Sequence, residues 1–193
     1  MTCKLFLGSG SPRRVALLKQ MGIAFEQRVL AVEEVYPQEL KGAEITDFLA
    51  QLKGKTHQQW LQQNELVLTA DTLVWFDDTA LGKPKDVAHA IEMLSKLSGK
   101  THEVITSVCL STNETQMCIQ ETTQVSMAVL SIADITYYVN TQKPFDKAGG
   151  YGIQDWIGLI GVYKIEGSYT NVVGLPTAKT YKLLLPYLPS IEV

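Results

Sequence analysis

Residues 4 to 22 narrow the fold more than any other stretch of this sequence. Residues 4 to 8 read as a short buried strand, and Ser11-Pro12 then opens a helix, with a hydroxyl residue at the cap and proline at the first helical position. Val15, Leu18 and Met21 supply the apolar stripe of that helix, and Gly22 ends it. A strand that passes straight into a helix begins a βα unit, which needs neighbouring strands and a covering helix layer.

The rest of the chain supplies both. Phe25 to Val32 reads as a second strand. Ile45, Phe48, Leu49 and Leu52 follow helical spacing and predict a helix over residues 43 to 62. Glu65 to Phe76 is strand-like, with a polar interruption at Thr69 to Thr72, and Asp77-Asp78 marks a turn. Asp86 caps a helix carrying Val87, Ala90, Ile91, Leu94 and Leu97, closed by Gly99. His102 to Leu110 and Cys118 to Val129 form a hairpin around the polar turn 111 to 115. Ser131 caps a short helix, a glycine-rich loop follows at 149 to 152, Gly161 to Ile165 is a strand, and Pro176 starts a last helix ending near Pro186. This predicts an α/β protein, a mixed twisted sheet flanked by helices. A length of 193 residues without repeat or linker suits one domain, 1–193.

Charge and cysteine content exclude several classes. With 17 basic and 20 acidic side chains the net charge is -3, so no broad basic surface awaits a nucleic-acid polymer, and an anionic ligand must meet a local cationic cluster. No apolar run reaches membrane-spanning length, and the start is too short for a signal peptide. Cys3, Cys109 and Cys118 are odd in number and form no CxxC pair; they are expected as reduced thiols of a cytoplasmic protein.

Seven segments carry candidate chemistry. Gly8-Ser9-Gly10-Ser11-Pro12-Arg13-Arg14 lies between strand and helix start, where free N–H groups and the helix dipole favour an anion, and Arg13 and Arg14 add forked donors. A capped helix with solvated arginines is the plain alternative. Asp71 interrupts an apolar strand, at a cost tolerated when the carboxylate is paired or binds a metal; a strand-end or bulge aspartate is the alternative. Glu33-Glu34 follows a strand-like run, so only one of the two would face a site if the strand continues; taken alone, a solvated acidic turn is the better reading. Lys53 borders a helix stripe four residues after Leu49, a position from which lysines usually snorkel, and Lys83 sits in the loop Gly82-Lys83-Pro84. Three glycines in Asp146-Lys147-Ala148-Gly149-Gly150-Tyr151-Gly152-Ile153-Gln154 allow close approach of a ligand, with Gln154 able to read a base edge or orient water, although from this stretch alone a glycine-rich hairpin loop is the better reading. Gly167 to Pro176 leads polar residues into a helix start. His57, His89 and His102 lack metal-ligand spacing, and neither a Walker loop nor a GxGxxG fingerprint is present.

In order along the chain, Leu7 to Arg14, Glu33-Glu34, Lys53, Ala70-Asp71-Thr72, Gly82-Lys83-Pro84, Asp146 to Gly149, Gly152-Ile153-Gln154, Gly167-Ser168-Tyr169 and Val173 to Pro176 resemble the Maf family of nucleotide pyrophosphatases. The family signature usually carries alanine where Gly8 stands. The resemblance implies two lobes with a central cleft, similar to inosine triphosphate pyrophosphatases, often in a homodimer. It implies hydrolysis between the α and β phosphates with a divalent cation, magnesium or manganese. Carried over by position, Asp71, Glu34, Lys53 and Lys83 look catalytic, with Glu34 and Asp71 as metal partners. Ser9, Arg13, Arg14, Thr72 and Gln154 look like substrate-binding residues. Arg13-Arg14, Ala70-Asp71-Thr72 and Gly152-Ile153-Gln154 look like the branch acting on dTTP, UTP and modified pyrimidine triphosphates. The alternatives are a 7-methyl-GTP pyrophosphatase and a nucleotide-binding regulator of septum formation.

Overall fold

The computed structural model describes residues 3–188. Strand β1 (Lys4–Leu7) leads through the glycine-serine loop into helix α1 (Pro12–Gln20). Gly22 closes the helix at φ 69°, a conformation costly for any other residue. Strand β2 then spans Glu26–Gln27 alone. Phe25 to Val32 is therefore not the eight-residue strand its composition suggests: β1 is short, and its parallel ladder with β2 consists of two pairs.

Helix α2 (Ala43–Gln58) buries Ile45, Leu49 and Ala50 on one stripe. Strand β3 (Glu65–Phe76) runs unbroken through the polar stretch 69–72, because β5 (Thr101–Ser111) pairs with it along almost its whole length. Asp77 and Asp78, at φ 49° and 53°, turn the chain into β4 (Thr79–Leu81), a short return strand absent from the sequence reading. Asp86 caps α3 (Val87–Leu97) by accepting from the His89 N–H. The expected hairpin is formed by β5 and β6 (Gln116–Met127), and Ser131 opens α4 (Ile132–Gln142) with a full capping box. Two short helices were not foreseen: α5 (Trp156–Gly161), before β7 (Val162–Glu166), and α6 (Tyr169–Val173), before α7 (Thr177–Leu184).

The seven strands form one mixed sheet in the order β2-β1-β3-β5-β6-β7, with β4 attached to β3; the first three are parallel and the rest antiparallel. The larger core lies on one face, where Leu18, Leu94, Leu97, Ile135, Tyr138 and Ile157 pack on Leu68, Val108 and Leu110. Each fully buried side chain of this kind contributes about 1.5–3 kcal/mol. Helix α2 covers the other face, where its Ile45 and Leu49 pack on Leu73 of β3.

The cysteines depart from expectation. Cys109 on β5 stands directly opposite Cys118 on β6 with Cα atoms 4.2 Å apart, and the two form a disulfide, leaving Cys3 as a free thiol. A nine-residue separation gives no pairing signal until the hairpin register is fixed. Among the described residues, no helix is long and apolar enough to cross a membrane.

Candidate active site

The site begins at a gap in the sheet. On one side of β3, residues 65–68 pair with β1 and residues 74–76 pair with β4. Residues 69–73 have no strand partner on that side among the described residues. The Gly8–Arg14 loop leaves β1 beside this gap. Alternation along β3 sends Thr69, Asp71 and Leu73 toward α2, and Ala70 and Thr72 toward α1. Thr69 Oγ1 donates to the Ala50 carbonyl at 2.8 Å, and Leu73 packs on Ile45 and Leu49. One turn beyond Leu49, the same stripe delivers Lys53 to Asp71.

Lys53 does not snorkel to solvent. Its side chain is 14 % exposed, with Nζ 2.6 Å from Asp71 Oδ1 and 2.9 Å from Glu34 Oε1. Of the adjacent pair Glu33-Glu34, the second therefore faces the site. Burial pushes the Asp71 carboxyl above the usual carboxylate range, and Lys53 and Arg14 offset this only in part. Glu34 is half-buried, which raises its pKa, but Lys53, Lys83 and Arg14 outweigh burial and hold it below the ordinary value. Two carboxyls around one ammonium are thus pushed in opposite directions, the separation expected when one acts as a proton acceptor and the other stays ionised.

The two arginines play different parts. Arg14 is spent on the protein: Nε donates to the Gly174 carbonyl at 2.8 Å, Nη1 to Ser9 Oγ at 3.1 Å and to the Ala70 carbonyl at 2.9 Å, and Nη2 to Thr72 Oγ1 at 3.0 Å. It fills the gap beside β3 and satisfies a strand carbonyl there. Arg13, half-buried, reaches across the cleft to Asp146 Oδ2 at 2.8 Å. Ser11 occupies the cap position of α1, but its side chain makes no capping hydrogen bond; Pro12 has no N–H and the Ser11 N–H donates to Ser9 Oγ at 3.3 Å, so Arg13 and Arg14 carry the uncapped first-turn donors.

The opposite wall comes from the glycine-rich stretch. Gly149 donates its N–H to the Gly82 carbonyl at 3.0 Å, which ties the Lys83 loop to this stretch, and Lys83 and Gln154 line the same cleft. Protein atoms fill the room the glycines leave: a Cβ at Gly149 would lie 2.8 Å from Val74 Cγ2, and one at Gly152 would lie 2.6 Å from Asp155 Oδ2. Close approach there serves packing rather than a ligand. Lys147, to which the sequence assigns no role, is 15 % exposed and donates to Asp146 Oδ1 at 2.7 Å, so it joins Arg13 around the same carboxylate.

Ser9, Arg13, Arg14, Glu34, Lys53, Asp71, Thr72, Lys83 and Gln154 all line one cleft of about 580 Å³. Among the described residues, no three His, Cys, Asp or Glu side chains are grouped to hold a metal ion by themselves. Glu34 and Asp71 supply two carboxylates. That donor set fits a magnesium-like ion, which keeps water ligands and takes the rest from phosphate oxygens.

A profile of the Maf-like protein family matches residues 4–186. A dTTP/UTP pyrophosphatase of Flavobacterium psychrophilum is 55 % identical over 182 residues, covering 94 % of this chain and 93 % of the relative. A dTTP/UTP pyrophosphatase of Christiangramia forsetii is 50 % identical over 187 residues, covering 97 % and 95 %. Among solved structures, a HAM1 protein from Coxiella burnetii superposes with a TM-score of 0.52 at 14 % identity, covering 96 % of this chain and all of that one, a likeness of fold.

Proposed function

The chain belongs to the Maf family, and we infer that it is a nucleoside triphosphate pyrophosphatase, a hydrolase of acid anhydrides that converts dTTP and UTP to the monophosphate and pyrophosphate. The observation that carries the reading is the Lys53–Asp71–Glu34 cluster, seated in the gap of the sheet beside the uncapped start of α1.

Phosphoanhydride hydrolysis needs positioned water and charge neutralisation more than covalent help. In this reading the triphosphate lies against the first turn of α1, with Arg13, Lys83 and Lys147 around its oxygens. Asp71, its carboxyl raised by burial, accepts the proton of the attacking water. The water oxygen bonds to phosphorus as the bridge between the α and β phosphates breaks, and pyrophosphate leaves with the displaced electron pair. Lys53 holds Asp71 in place and balances its charge. Arg14 aligns Ser9 and Thr72 without needing a substrate contact of its own. Gln154 and Thr72 face the cleft where a pyrimidine is selected. Glu34 and Asp71 would hold a divalent cation, magnesium or manganese, which when bound would further neutralise phosphate charge.

In this reading the enzyme acts on free nucleotides in the cytoplasm, and the family resemblance, in which homodimers are frequent, makes self-association the state to test. Exposed Leu159 and Tyr163, near and on β7, are the surface to probe for self-association by sedimentation. The reaction is tested by pyrophosphate release from standard and modified nucleoside triphosphates, with magnesium, with manganese and with chelator. Cation-dependent turnover of dTTP and UTP is the expected result. Turnover of 7-methyl-GTP alone would reassign the substrate, and nucleotide binding without turnover would favour a regulator.

A further inference from the structure

His57 is 1 % exposed near the end of α2, four residues past Lys53. Both ring nitrogens face carbonyl oxygens: Nδ1 lies 2.8 Å from that of Lys53 and Nε2 lies 3.0 Å from that of Arg28. A neutral ring donates one of these bonds; an imidazolium donates both. The ring edge also abuts Gly8. A Cβ there would lie 3.0 Å from His57 Cε1 and Nε2, and 2.8 Å from Thr69 Cγ2. Gly8 is not in the left-handed region, so glycine stands there for room rather than for backbone freedom.

Three segments that present site groups therefore meet at this ring. One is the turn of α2 that carries Lys53. The second is the segment from β2 toward Glu34, which is tied in turn to the phosphate loop: Arg28 N–H donates to the Leu7 carbonyl at 3.0 Å and Gln27 Nε2 to the Ser9 carbonyl at 2.8 Å. The third is the Gly8–Ser9 loop itself. A side chain serving only to fill space would not need two carbonyl partners on separate segments, nor a missing methyl opposite.

We propose that His57, wedged against Gly8, is a positioning residue that sets the spacing between Lys53 and the Ser9 loop in the active site. The proposal rests on the pyrophosphatase reading. Misplacement of catalytic groups by about 1 Å can cost about a hundredfold in rate, so a wedge of this kind acts on turnover more than on substrate capture.

The test compares Gly8→Ala, His57→Ala, the double variant and His57→Gln with the wild-type chain, reading kcat and KM on UTP and thermal unfolding for each. Each alanine variant is expected to lower kcat about tenfold or more with KM changed less than about threefold. In the double variant the new methyl enters the space the ring has left, so kcat is expected to be no lower than in the worse single variant. His57→Gln retains a donor and is expected to fall between wild type and His57→Ala; it decides the matter if His57→Ala does not fold. Wild-type kcat in the folded single variants, or losses that multiply in the double variant, would overturn the proposal, as would a change in melting temperature alone. An inactive wild-type chain would overturn the pyrophosphatase reading and this role with it, an outcome distinct from active wild type with unaffected variants.

Discussion

Lys53 Nζ lies 2.6 Å from Asp71 Oδ1, joining the last apolar turn of a helix to a carboxylate in the middle of a buried strand. The pair explains how a twelve-residue strand tolerates an aspartate where the sheet is open. Helix α2 supplies the counter-charge on the face where Asp71 points, and β5 holds the strand from the other side. Asp71→Asn keeps the shape and removes the proposed proton acceptor. Turnover is expected to fall at least about a hundredfold. Because burial disfavours the ionised form of Asp71, the same variant is expected to melt no lower than wild type at neutral pH. Steady-state kinetics and thermal unfolding on one sample check both halves.

Lys53→Met removes the ammonium and leaves Asp71 and Glu34 facing each other. The cost is expected to be on the order of 2 kcal/mol at neutral pH, below that of a fully buried broken pair because Glu34 reaches solvent and Asp71 can take up a proton. Urea unfolding at two pH values measures it, with the smaller loss expected at the lower pH.

The pH dependence follows from Asp71. Its folded pKa is raised, so the protonated form persists to higher pH than for a free aspartate of about 3.9. In the proposed mechanism the reaction needs the ionised form. The acid limb of kcat/KM is therefore expected above the ordinary carboxylate range, with activity rising as pH increases through it. Stability runs the other way for this group. A raised folded pKa contributes stability that is fully present below the unfolded value and is lost as pH rises through the folded one. Asp71→Asn should flatten this part of the stability profile, and a pH series of unfolding curves on the two chains reads the difference.

The arginines should separate in kinetics and stability. Arg14 makes four hydrogen bonds to protein groups, one of them to a strand carbonyl with no ladder partner. Arg14→Lys cannot reproduce the fork and is expected to cost about 2–3 kcal/mol, with kcat falling as Ser9 and Thr72 lose their common partner. Arg13→Lys retains charge at the cleft mouth and is expected to raise KM several-fold with little loss of stability. Equal effects from the two substitutions would sink this division.

Much of this was legible in residue order. The stripe Ile45, Leu49 announced α2 and placed Lys53 at its border, and Asp71 stood out because apolar residues surround it. The fate of Lys53 was not legible, since a lysine at a helix border pairs inward only when a carboxylate waits there, and that depends on the register of β3. The gap in the sheet was equally hidden: it exists because β1 stops at Leu7 and β4 ends, at Leu81, opposite Val74, and a three-residue strand has no composition of its own. Arg13 and Arg14 are neighbours of one type in sequence, yet one faces the cleft and the other the sheet. Gly8 could be noted as a departure from the family's alanine, but its reason, the ring of His57, lies 49 positions away.

The β5–β6 hairpin makes a claim that thiol chemistry decides. Its register sets Cys109 opposite Cys118, with Cys109 fully buried. Chain unfolded without reductant is expected to show one reactive thiol, Cys3, and three after reduction. Loop closure limits the stabilisation to less than about 3 kcal/mol for a bridge of this span, and eleven strand pairs already hold the hairpin closed, so the actual contribution is expected to be smaller. Asp71 and Lys53 are placed by β3 and α2 rather than by β6, so reduction is expected to lower the melting temperature while leaving kcat on UTP near the oxidised value. Three reactive thiols in the unreduced chain would mean that the hairpin forms without the bridge, and the melting temperature should then be indifferent to reductant.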